Sequence, residues 1–86
     1  MHLAYINSGY RKYGTYPVLP YRRNRWEIQA ILEGDCELYV SGETLPVESP
    51  RLFLFRPDSL HGWQGPADSQ CRMMVFHINQ LLPSIE

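Results

Sequence analysis

The sequence predicts a small all-β domain, a sandwich or barrel of short strands, on three observations. Seven Pro and six Gly punctuate the 86 residues, at intervals of roughly ten, which is the spacing of strand-and-turn architectures. Between them lie short apolar or alternating runs, with almost no stretch of helical period. A hydrophobic content of 44% with 13% aromatics is enough for a globular core and too high for a disordered chain. Length leaves room for one modest core, so residues 1–86 read as a single domain.

The elements follow in order. Residues 2–7 form a first strand, and the polar, Tyr-rich segment SGYRKYGTYP that follows is a loop. Within it Tyr10, Tyr13 and Tyr16 are read as surface residues, with an arm over a pocket as the alternative. Residues 26–33 and 36–40 are two strands, and Gly34-Asp35 between them is read as a hairpin turn. Ser41-Gly42 makes a second turn into a short strand at 44–47. Residues 51–56 are a strand stopped by Pro57-Asp58-Ser59, whose types suit a turn. Residues 72–78 are the last strand. A short helical turn begins within 79–85, where Pro83 interrupts it or sits in its first turn. Repeats, low-complexity tracts and charge blocks are absent from the sequence.

Charge and cysteine content exclude some functions. The formal net charge is -1, and only Lys12 accompanies seven Arg. Without a basic footprint the segment is not expected to grip nucleic acid by itself. Its first residues have neither the basic start nor the apolar run of a signal peptide. No apolar run approaches the roughly 20 residues needed to cross a bilayer. Cys36 and Cys71 are therefore expected to be free thiols packed on strands, in a reducing, cytoplasmic setting.

Strand alternation shows which side chains share an interior. If Glu27 points inward, so do Gln29 and Ile31. Continued backward without a break, the same parity carries Arg25, Arg23 and Tyr21. Ile28, Ala30 and Leu32 take the other face. Apolar residues on both faces imply that both are covered, and a homodimer is expected.

The stretch from Glu27 to His61 resembles the core of the cupin superfamily. That family's first motif ends in Glu, six residues and Gly, as Glu27 and Gly34 stand here. Its second motif runs from Gly through an apolar strand and a Pro turn to His. PRLFLFRPDSLH over residues 50–61 has this layout, with Pro50 at the glycine position and Arg56-Pro57-Asp58 in place of Pro-any-Gly. Within the superfamily the chain is similar to the ligand-sensing domain of arabinose-regulator (AraC-type) transcription factors. WEIQAILEG (26–34), LFLFRPDSLHGW (52–63) and MVFHI (74–78) carry that likeness. The resemblance implies a double-stranded β-helix, or jelly-roll, barrel. It further implies binding of a sugar or other small polar ligand and transcription regulation through a helix-turn-helix pair. No such pair fits within these residues, so the chain is expected to be an excised sensor domain or a stand-alone relative.

Metal-binding cupins use three His and one Glu. Glu27 and His61 match two of these positions, but PYRR (20–23) stands where the paired His belong. Arginine offers no lone pair to a metal, and His2 and His77 lie in the wrong motifs. Neither metal nor any other cofactor is expected. What remains is a candidate ligand site of Tyr21, Arg23, Arg25, Glu27, His61 and Trp63, with Trp26 and Phe55 as further walls. Alternatively, Glu27 pairs with an Arg and Trp63 caps the barrel. His77 is read as a packing residue. No Ser-His-Asp or Cys-His arrangement occurs at a motif spacing, so no catalytic residues and no enzymatic activity are expected. A stand-alone small cupin, either an enzyme or a protein-interaction barrel, is the alternative function.

Overall fold

The computed structural model describes residues 3–79. Its seven strands are β1 (Leu3–Arg11), β2 (Val18–Tyr21), β3 (Trp26–Val40), β4 (Glu43–Glu48), β5 (Arg51–Phe55), β6 (His61–Gln64) and β7 (Cys71–Ile78). Every pairing is antiparallel. No helix among the described residues is long and apolar enough to cross a membrane.

β3 organises the barrel. Its first part lies between β5 and β7, with β1 beyond β7. Its last part lies between β4 and β6, with β2 beyond β6. Two four-stranded layers thus share one bent strand, and the sheet curls into a jelly-roll barrel.

The bend falls at Gly34, where the sequence suggested a hairpin turn. The chain does not reverse there: β3 runs unbroken for 15 residues. Gly34 has φ +88, and a Cβ there would sit 2.1 Å from the carbonyl oxygen of Gln70. Just before Gly34, at Leu32, the register against β7 shifts between Ile31 and Glu33, and Gly34 then pairs with Cys71. The shift also reverses the parity. Glu27, Gln29 and Ile31 are buried before it, Cys36 and Leu38 after it. One strand thereby supplies interior side chains to both layers.

The core gathers Ile31, Leu38, Val47, Phe55, Trp63, Met73 and Val75. Cys36 and Cys71 are free and buried within it. The hydrogen bond with Cys71, together with burial, pushes the Cys36 thiol up. Tyr13 belongs to the core as well, at 4% exposure, contrary to the surface-loop reading. The turn after β1, closed by Thr15 and Tyr16 amides on the Lys12 carbonyl, folds it inward. β2 and β6 were not read from the sequence: each has four residues and a Pro or Gly within it. The helical turn expected at 79–85 lies almost wholly outside the described residues.

The outer face of the β1-β7-β3-β5 layer stays apolar. Ile6, Phe76, Ile28 and Leu54 align across it in one row, and Ser8, Met74, Ala30 and Leu52 in the next. Ile6, Leu52 and Leu54 are more than half exposed, so this face is uncovered among the described residues.

Candidate functional site

Glu27 is the centre of the site. It is 1% exposed, and a carboxylate so buried is tolerable only with partners. Tyr21 donates its hydroxyl to both carboxylate oxygens, at 2.8 and 2.9 Å. His61 Nε2 lies 3.1 Å from Oε2, and His77 Nε2 lies 3.2 Å from Oε1. Arg23 Nε stands 3.7 Å from Oε1 on a half-exposed side chain, with its guanidinium over the Tyr21 ring.

Four elements deliver these groups. β3 and β7 pair Glu27 directly with His77, while Tyr21 closes β2 opposite His61 at the start of β6. The His61 ring stacks on Phe55 at 3.8 Å and 3°. Its Nδ1 lies 3.3 Å from the Ser59 carbonyl and 3.5 Å from the Ser59 hydroxyl, while its Nε2 faces Glu27.

Electrostatics follow from this packing. Burial raises the Glu27 carboxyl, but hydrogen bonds from His61 and Tyr21 and the two imidazoles outweigh it and hold it below the ordinary range. Burial, then the charge and hydrogen bond of Glu27, push the Tyr21 phenol up, so it remains a donor. His77 is lowered by burial, partly offset by Glu27 and reinforced by Arg23 and Arg25. Among the described residues no three His, Cys, Asp or Glu side chains are arranged to hold a metal ion. Each Glu27 oxygen already faces a different imidazole.

An open cavity of about 270 Å³ adjoins this cluster. Tyr21, Arg23 and His77 separate it from Glu27, and Trp63 and Gln29 line its interior. Tyr13 stacks at 6.0 Å on Trp63 and accepts a hydrogen bond from Gln29. Burial raises the Tyr13 phenol to about 12. Arg11, Tyr5 and Tyr16 also line it. The Trp63 indole nitrogen is buried without a hydrogen-bond partner among the described residues.

The six sequence candidates therefore divide. Tyr21, Arg23 and Trp63 line the cavity, whereas Glu27 and His61 stand behind that wall, hydrogen-bonded to each other. Arg25 is exposed on a bend and makes no side-chain hydrogen bond or ion pair among the described residues. The strand that would have given it inward parity is broken between Tyr21 and Trp26. Trp26 and Phe55 are not cavity walls either. Trp26 packs with Ile78 in a separate cluster, and Phe55 is buried under His61. His77, read as packing only, is a direct partner of Glu27. Its signal was present in the alternation of Cys71, Met73, Val75 and His77, all buried on β7. Tyr13 carried no comparable signal, and Arg11 lies on β1 beyond the residues 2–7 read as the first strand.

A family model for the AraC-like ligand binding domain matches residues 5–85. The chain belongs to that family. Solved cupins share the fold. The polyketide cyclase RemF from Streptomyces resistomycificus superposes with a TM-score of 0.68 at 20% identity, over 78% of this chain and 49% of that one. A cupin protein from Bacteroides fragilis gives 0.71 at 16% identity, over 85% and 63%. A predicted oxalate decarboxylase from Thermotoga maritima gives 0.76 at 14% identity, over 88% and 66%. The AraC-like domain spans about half to two thirds of these chains. No curated protein sequence matches it. The expectation that the chain is not an enzyme does not hold, because a polyketide cyclase and a predicted oxalate decarboxylase share its fold. Enzymatic status is open.

Proposed function

We propose that this AraC-like domain is the small-molecule sensor of a cytoplasmic transcriptional regulator, binding a sugar or small acid inside the barrel. The open, aromatic-walled cavity beside the Glu27 cluster carries this reading. Small-molecule sites are concave and mostly apolar, with a few polar groups that orient the ligand. Tyr21, Arg23 and Trp63 are the contacts we assign. Glu27 and His61 hold Tyr21 and Arg23 in place. Arg23, half-exposed and 3.7 Å from its carboxylate, is free enough to turn toward an arriving ligand.

In this reading the domain contacts neither duplex DNA nor membrane, and a DNA-binding segment elsewhere in the regulator carries the output. The apolar outer face is the homodimer surface. A thermal-shift screen over sugars and small acids tests the proposal. A saturable rise in melting temperature, weakened by Arg23→Ala, supports it. A screen without any stabilising compound counts against a sensor role.

A further inference from the structure

We infer that the cavity takes a small monocarboxylate, which rests on the ligand-binding reading and narrows it to one chemical class. The first observation is charge. Arg11 and Arg23 line the cavity, and no Asp or Glu among the described residues does. Arg23 is already matched by Glu27 behind it. Arg11 enters no salt bridge among the described residues. Its one side-chain hydrogen bond runs from Nη1 to the Tyr10 carbonyl, at 3.0 Å. A guanidinium stays cationic in proteins, so the cavity wall holds one unmatched positive charge.

The second observation is hydrogen-bonding capacity. The Arg11 guanidinium can only donate, and its single hydrogen bond to the Tyr10 carbonyl leaves most of its N–H groups unengaged. A polyol brings hydroxyl donors that need acceptors in return, whereas a carboxylate brings acceptors alone and suits a guanidinium fork. One unmatched charge calls for one carboxylate. A volume of about 270 Å³, with Tyr13, Tyr16 and Trp63 on its walls, suits a short acid with a planar or apolar body.

Calorimetric titration of the whole chain tests this with benzoate and hexanoate, their uncharged isosteres benzamide and hexanamide, and neutral monosaccharides. At least one acid should bind, with its amide at least tenfold weaker. Arg11→Gln should weaken the acid about tenfold or more and leave the amide unchanged. Arg11→Lys should recover part of the loss, and equal melting temperatures would show that the variants fold. Binding of sugars but not acids would overturn the carboxylate assignment while leaving the sensor reading intact. Undiminished acid binding by a folded Arg11→Gln would overturn it too. Failure of all three sets to bind would remove both.

Discussion

Glu27 on β3 and His77 on β7 stand directly opposite each other in the strand register, with the imidazole Nε2 3.2 Å from the carboxylate. His61 reaches the other carboxylate oxygen from the opposite layer of the barrel. A single buried acid therefore ties the two layers together behind the wall of the cavity. This couples the stability of the barrel to the shape of its proposed binding site.

Removing that acid should be costly. Glu27→Ala leaves the Tyr21 hydroxyl and two imidazole N–H groups without their acceptor, each in a buried or half-buried place. We expect a loss on the order of 3 kcal/mol, within the range for breaking buried polar pairs. Glu27→Gln keeps the size and one acceptor and should lose less. Denaturant unfolding of the three proteins measures the difference, and equal stabilities would contradict a central role for Glu27.

Acid should weaken the fold in two stages. His77 has its folded pKa depressed below the ordinary 6.5, and Glu27 has its own depressed below 4.5. In both cases the unfolded chain binds protons before the folded one does, so stability falls as pH falls. The melting temperature should be level above about pH 6.5, decline as His77 resists protonation, and decline further below 4.5. His77→Gln should abolish the first decline and keep the second. A melting temperature that rises on acidification would contradict both depressions.

The outer sheet face should mediate association. Leu52 and Leu54 are 66% and 52% exposed and continue across the layer through Ala30 and Ile28. Contiguous apolar surface of this kind usually marks an interface. Light scattering should show a dimer at micromolar concentration, with Leu52→Glu/Leu54→Glu giving a folded monomer. A strict monomer of the unaltered chain at high concentration would remove the homodimer from the account.

Alternation made the interior of β3 legible: Glu27, Gln29 and Ile31 are all buried, and the motif positions led to Glu27 and His61. Two features defeated the same reasoning. Gly34 reads as a turn because sequence does not distinguish a positive-φ glycine inside a strand from one in a hairpin when the pairing partners are unknown. The break after Tyr21 cancelled the parity argument for Arg25, yet Arg23 still reaches Glu27 from the loop. His77 was inward by parity, but its position opposite Glu27 depends on a register between strands 50 residues apart in sequence. Tyr13 enters the cavity through the path of a turn, which no periodicity encodes, whereas Arg11 ends β1 on the parity of Tyr5 and Asn7, beyond the residues 2–7 that the sequence reading gave the first strand.

The central claim is that ligand occupies the cavity beside Trp63. The chain has two tryptophans, and only Trp63 lines the cavity, since Trp26 packs in a separate cluster with Ile78. The indole N–H resonances in a proton–nitrogen spectrum report the two places separately. During titration with a compound that raises the melting temperature, the Trp63 resonance should move saturably and the Trp26 resonance should stay. Movement of Trp26 or of outer-face amides with Trp63 unmoved would contradict the account.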